Sequence, residues 1–489
     1  MTATICIKNA AWVAAWNEDQ KTHRYLRDAD VAFAGNTITF VGKGYDRAAD
    51  EEIDGRDLLV MPGLIDIPTH CMSEPLGKGI VEEVGNPKLY MSGLYDPKPL
   101  FLAAHSMDLK EGQQDALKAA TTVAYSELLM SGVTTVVDLS MIYDGWLDLM
   151  ARSGIRGYAA PMYRSARWVT NNGYSVGYEW DDAAGQRAFQ EAAAFIAKAQ
   201  DHPCGRLGAM VAPAQIDTCT AELLRDSLAL AKEKGWPLQV HTAQSVVEFQ
   251  EMTRRTGMTP VQWANHVGIL GPNTILSHAV FIDEHSWVHW PTRDDLRFLA
   301  ESGTSVAHCP AVVARYGQTL QNLGRYIKAG VNMGLGTDTF PHNLIDEMRW
   351  AVILARVAAE DIECLTTADV FHAATVGGAR ALLRDDIGRL APGAKADMVL
   401  VDLTHPSMRP LRDPIRSLVY TALERPVRDV FVEGAKVVEN GQVLTLDYRA
   451  ALDRLDIAQR AAEEGVPMMD YAKRTARQVS PLTLPLDDE

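Results

Sequence analysis

Eight short apolar runs, each presenting polar residues at its far end, constrain this chain more than any other feature. They are "LVMPGLID" (59–66), "TTVVDLS" (134–140), "RGYAAPM" (156–162), "RLGAMVAP" (206–213), "PLQVHTA" (237–243), "TILSHAV" (274–280), "TSVAHCP" (304–310) and "VNMGLGTD" (331–338). Turn residues follow each run. Amphipathic stretches such as "AELLRDSLALAKEKG" (221–235) and "RDDLRFLAESG" (293–303) separate most of them. Near-continuous apolar strands alternating with helices mark a parallel sheet covered on both faces. Eight such units within about 300 residues predict the α/β class and a (β/α)8 TIM barrel.

Polar residues gather at the C-terminal ends of these runs: His70, His241, His278, His308 and Asp338. In a barrel those ends converge on one mouth, where catalytic groups sit. Any one of these histidines reads equally well as a packed, hydrogen-bonded side chain. Four histidines and an aspartate, all at strand ends, are hard to account for as packing.

The two ends of the chain read differently. Residues 1–58 and 394–445 alternate in strand fashion, as in "DVAFAGNTITFVGKG" and "VRDVFVEGAKVVENGQVL". They predict a composite β-sandwich built from both chain ends, with 59–393 forming the barrel. Residues 446–489 carry helical periodicity ("YRAALDRLDIAQRAAEEG") and form a C-terminal helical tail. The tail packs either on a neighbouring subunit of a homo-oligomer or on its own surface, and the sequence leaves both open.

Charge and cysteine usage narrow the partners. A net charge of −16 repels phosphate backbones, so nucleic acid is not an expected partner. The six cysteines, Cys6, Cys71, Cys204, Cys219, Cys309 and Cys364, are scattered without a C-x-x-C pair, which fits a reducing cytoplasm. The first twenty residues lack a basic segment followed by an apolar run, and no apolar stretch approaches a membrane span. A small-molecule substrate is the remaining expectation.

With these motifs in order, the chain resembles the amidohydrolase superfamily, in the mononuclear branch of cytosine deaminase and the triazine hydrolases. "VMPGLID" is similar to the strand preceding a metal-binding H-x-H. "MSGVTTVVD" (130–138), "APAQIDTC" (212–219), "AHCP" (307–310), "GLGTD" (334–338) and "IGRLAPGAKADMVLVD" (387–402) resemble further family signatures. The resemblance implies four metal ligands: His70, His241, His278 and Asp338. Strand four has no lysine that could be carbamylated to bridge two metals, so one divalent ion is implied. Zinc is the first choice, with iron, manganese or cobalt as alternatives.

Two positions depart from the pattern. Pro68 stands where the first histidine of H-x-H belongs, and proline cannot coordinate a metal. Gln244, in "HTAQ" (241–244), replaces the glutamate that serves this branch as proton shuttle; an amide hydrogen-bonds but does not exchange protons near neutral pH. Zinc needs about three protein ligands and an open position, a count the remaining residues meet. Phenylurea hydrolases of the superfamily are similar in having a substituted first position.

The implied chemistry is attack of metal-activated water on an sp² carbon, with Asp338 carrying the proton and His278 polarising the substrate or completing the metal sphere. Gln244 tilts the expectation toward hydrolysis of an amide, urea or carbamate bond. The alternatives are an aminohydrolase of an aminated heterocycle and an inactive barrel kept for binding. Two loops are candidate substrate walls. One is 74–100, with Tyr90, Met91 and Tyr95; the other is 281–291, with His285, Trp287, His289 and Trp290, suited to an aromatic substrate or to plain packing. Cys71 and Cys309 adjoin the site, but nothing else in the chain resembles a cysteine hydrolase.

Overall fold

The apolar runs form eight parallel strands, and the order of pairing follows the sequence. Strand one (Leu64–Thr69) pairs with strand two (Val133–Asp138), two with three (Arg156–Ala159), and three with four (Leu207–Ala209). Strand five (Leu238–Thr242) pairs with six (Thr274–His278), six with seven (Ser305–His308), and seven with eight (Asn332–Leu335). Two seams close the ring. Parallel bridges Val211↔Leu238 and Gln215↔His241 join four to five, and Thr69↔Asp338 joins eight to one. At that last seam the Asp338 N–H donates to the Pro68 carbonyl at 2.8 Å, and the His70 N–H to the Asp338 carbonyl at 3.0 Å. The result is a closed (β/α)8 barrel. The computed structural model describes residues 3–84 and 111–486, so Tyr90, Met91 and Tyr95 lie outside the described residues.

The strands are buried and largely apolar because helices cover their outer faces. The helix Ala221–Lys234 shows how the sequence specifies one. Thr220 caps it, its hydroxyl accepting the Leu223 N–H at 3.1 Å. Leu223, Leu224, Ser227, Leu228 and Ala231 then form one buried stripe against the strands.

The run 59–66 is two strands rather than one. Leu58–Pro62 belongs to another sheet, and the barrel begins at Leu64. Gly63 divides them, because a Cβ there would land on the Thr134 side chain of strand two. Hydrophobic patterning could not reveal this break, since both halves are fully buried.

Nine strands from the two chain ends make one hydrogen-bonded sheet. Its path runs Gln442–Val443, Ala435–Glu439, Val427–Val432, Met398–Asp402, Leu58–Pro62, Thr4–Asn17, Thr22–Ala34 and Thr37–Gly42, with Glu51–Asp54 beside Thr4–Asn17. The sheet curls into two facing layers: Phe33 and Phe431, four strands apart on that path, meet edge to face at 5.6 Å. Alternation along the central strands serves two cores. Leu58, Val60, Met398 and Leu400 fill the space between the layers, while Leu59, Met61, Val399 and Val401 pack against the barrel.

The helix Tyr448–Met469 returns to its own chain and lies along the helix Glu111–Met130. It grips the segment after strand one: Gln459 donates to the carbonyls of Leu76 and Lys78 at 2.8 and 2.9 Å, and the Ser480 hydroxyl to that of Ile80 at 2.7 Å. Among the described residues no helix is long and apolar enough to cross a membrane.

Closure at the eight–one seam requires Gly336. A Cβ at that position would collide with the backbone of Ile67 and Pro68, which cannot swing aside as a side chain can. We expect Gly336→Ala to lose at least about 1–3 kcal/mol, the usual penalty of overpacking. Thermal unfolding checks this, and a melting temperature equal to the parent's would refute the close approach.

Candidate metal centre

Three strand ends bring to one point three side chains that could hold a metal ion. His70 follows strand one, His241 lies in strand five, and Asp338 follows strand eight. Their ligating atoms all lie within 4.8 Å of one another. The His70 Nε2 is 3.3 Å from the His241 Nε2 and 3.3 Å from an Asp338 carboxylate oxygen.

Backbone carbonyls orient both rings. The His70 Nδ1 donates to the Leu139 carbonyl at 2.7 Å, and the His241 Nδ1 to the Ala214 carbonyl at 2.6 Å. With the proton fixed on Nδ1, each Nε2 presents a lone pair to the centre. Two lone pairs and a carboxylate facing one another are a donor set that a divalent cation would satisfy. The spacing suits one: ligands about 2.0–2.1 Å from a tetrahedral zinc stand about 3.3 Å apart.

The charges agree. Burial works against ionising Asp338, yet His278, His70 and His241 together hold its carboxyl well below the usual range. Burial likewise opposes charge on His70, but Asp338 beside it raises its pKa. His241 goes the other way, lowered to about 3 by burial and then by the neighbouring histidines. The Asp338 carboxylate thus draws positive charge to the point where the two imidazoles meet, the place a divalent ion would occupy.

Asp66 holds the geometry and was not singled out from sequence. Buried in strand one, it accepts the Thr337 backbone N–H at 3.0 Å and the Thr337 hydroxyl at 2.8 Å, fixing the turn that carries Asp338. Burial pushes its carboxyl up to about 8. The available signal was an aspartate inside an otherwise apolar run. The turns are also conformationally unusual. Ala243, His278, Ala279 and Asp338 all adopt left-handed backbone, with φ of 55°, 77°, 44° and 57°. Such residues cluster where a site dictates backbone position.

The other expected residues take distinct places. His278 is beside the trio rather than in it, its ring centre 5.3 Å from that of His241 and its buried Nδ1 without a hydrogen bond. His308 is buried with an unbonded Nδ1, and burial lowers its pKa to about 3. Gln244 is buried with its Nε2 unbonded. Glu248, four residues on, turns inward to accept the backbone N–H groups of Ala243 and Gln244 at 2.5 and 3.1 Å. It secures the turn after strand five, following a Ser245–Glu248 capping pattern visible in sequence. Pro68 contributes its carbonyl to the seam.

His285 packs against Phe281 with ring centres 4.6 Å apart and Trp290 meets Phe249 at 5.8 Å, so these two side chains of the 281–291 loop serve packing, while Trp287 and His289 are exposed. Cys71 and Cys309 are fully buried, and burial pushes both thiols well above their usual pKa. Burial of this kind disfavours the thiolate that a nucleophilic cysteine needs.

A closed parallel barrel with two histidines and an aspartate at its C-terminal mouth is the frame of a metal-dependent hydrolase. The chain belongs to the amidohydrolase family, whose sequence model matches residues 59–437, and it is a hydrolase acting on carbon–nitrogen bonds. A 5-methylthioadenosine/S-adenosylhomocysteine deaminase of Natronomonas pharaonis is 28% identical over 445 residues, 90% of this chain and 94% of that protein. A 5'-deoxyadenosine deaminase of Methanosarcina mazei is 27% identical, covering 94% and 98% respectively. Among solved structures, a mutant atrazine chlorohydrolase of Arthrobacter aurescens TC1, complexed with zinc and atraton, is similar with a TM-score of 0.78. It is 25% identical and covers 94% of this chain and 99% of its own.

Proposed function

We propose that this enzyme is a zinc-dependent aminohydrolase that releases ammonia from a planar, aminated nitrogen heterocycle. One observation carries the reading: the His70–His241–Asp338 trio stands in a chain similar, nearly end to end, to deaminases of adenosine derivatives. This departs from the amide, urea or carbamate hydrolysis that Gln244 alone favours.

When bound, a divalent metal lowers the pKa of its water toward about 7. Asp338 then takes up a proton from the attacking water and returns it to the departing nitrogen. His278, buried beside the trio, polarises the substrate. Gln244 donates a hydrogen bond from its free Nε2 to a ring nitrogen without transferring a proton. Such a site works best on rings whose carbon is already electron-poor, because the ring nitrogen is not protonated by a carboxylic acid. The Trp and His side chains of the 281–291 region are not required as an aromatic wall.

A second reading keeps the urea, amide or carbamate substrate, and Gln244 favours it: there the leaving amine needs a proton but no ring nitrogen does. Incubation of zinc-loaded enzyme with 5'-deoxyadenosine, 5-methylthioadenosine, aminated triazines and aryl ureas separates them. Ammonia from a heterocycle is the expected result. Arylamine released from ureas alone establishes the second reading, and no product with zinc bound marks an inactive barrel.

A further inference from the structure

Glu74 has no role in the chemistry above, yet it stands one turn beyond His70. Its backbone N–H donates to the His70 carbonyl at 3.4 Å, and the residue opens the short 3-10 turn Glu74–Gly77. The side chain is only 9% exposed, and its Oε2 is buried without a hydrogen-bond partner among the described residues. Its charge reaches the His70 imidazole and adds to the pull of Asp338 there.

Lys78, the lysine among the described residues of this segment, pairs with Glu127. The turn is not free to swing its carboxylate into solvent. Gln459 holds the carbonyls of Leu76 and Lys78, Ser480 holds that of Ile80, and Leu76, Ile80 and Val81 are packed with Leu455 and Phe340. A fixed, buried carboxylate oxygen without a donor is costly. It is stable in a working site only if something brings N–H groups to it.

We infer that Glu74 is a substrate-recognition residue that receives an amidine-like N–H edge, cationic or strongly N–H-donating. This rests on the reading that the substrate carries an aminated, planar nitrogen group. A carboxylate accepts two parallel N–H groups from such an edge in charge-assisted hydrogen bonds. The placement is chemically sensible: the edge would be held beside His70 while the neighbouring carbon faces Asp338. It also gives this chain a specificity element just after strand one, the side of the site from which the first H-x-H histidine is missing.

Two small isosteres test the inference without requiring turnover. Benzamidinium presents the N–H edge, whereas benzamide has the same shape with a carbonyl in place of one nitrogen. Binding of each to zinc-loaded enzyme is measured by calorimetry, for the parent and for Glu74→Gln, with zinc content and thermal unfolding recorded for both proteins. The parent is expected to bind benzamidinium at least tenfold more tightly than benzamide, and Glu74→Gln to lose that preference while keeping its zinc. Equal binding of the two probes by the parent, or failure to bind either, overturns the inference even if the variant does not fold. A preference retained in Glu74→Gln, or a variant that changes zinc content alone, overturns it as well. Ammonia release from the heterocycle panel is independent of these outcomes, so failure of the functional reading and failure of this one are distinguishable.

Discussion

Asp338→Asn is expected to stay folded, keep part of its metal and lose about a hundred- to ten-thousand-fold in turnover, the usual cost of removing a general base. The substitution preserves what Asp338 does for the barrel. Its backbone N–H and carbonyl make the seam with Pro68 and His70, and asparagine supplies both. Its backbone is left-handed, with φ of 57°, a conformation asparagine tolerates as well as aspartate. An amide oxygen can still face the metal position. What disappears is the negative charge and the capacity to carry a proton between water and leaving group. Turnover on any identified substrate, measured beside zinc content and circular dichroism, decides the matter. A variant within a few-fold of the parent would end the assignment of Asp338 as base.

His241→Ala should empty the centre instead. The parent is expected to hold one divalent ion per chain, because strand four offers no lysine to bridge a second and Pro68 replaces a ligand. Removing the His241 Nε2 leaves His70 and Asp338, two ligands where zinc takes about three from protein. Elemental analysis should fall from near one to near zero, and activity should fall with it. Strand five keeps its backbone pairing with strand six, so the apo variant should unfold near the temperature of the metal-stripped parent. Two ions per parent chain would refute the mononuclear centre, and full zinc retention in the variant would remove His241 from it.

The parts visible in sequence were those whose physics is local. Strands buried on both faces are largely apolar, and polar groups that meet at a barrel mouth must sit where strands end, so the barrel and the convergence of His70, His241 and Asp338 could be read directly. The missing parts depend on what the chain meets in space. Gly63 looks like an ordinary residue in an apolar run until strand two lies against it. The carbonyls of Leu139 and Ala214, which orient both imidazoles, leave no trace in side-chain identity. His278 has the same strand-end signature as His241, yet one ring enters the trio and the other sits beside it, a difference of backbone turn rather than of residue type. Asp66 and Glu74 are single acids whose meaning comes from burial, and burial is a property of the whole fold.

The joining of both chain ends into one sheet has a consequence for how the protein is made. Leu58–Pro62 cannot find its antiparallel neighbour Met398–Asp402 until on the order of 340 more residues have been translated, which at typical ribosomal speeds takes roughly 20–70 s. Through that interval one side of Leu58–Pro62 lacks its partner, and Leu59 and Met61 lack the barrel that later covers them. The grip of Gln459 and Ser480 on the segment after strand one comes later still. His70 therefore gains its finished surroundings only once Gln459 and Ser480 have been made, and nascent chains halted before them are the species that chaperones should hold.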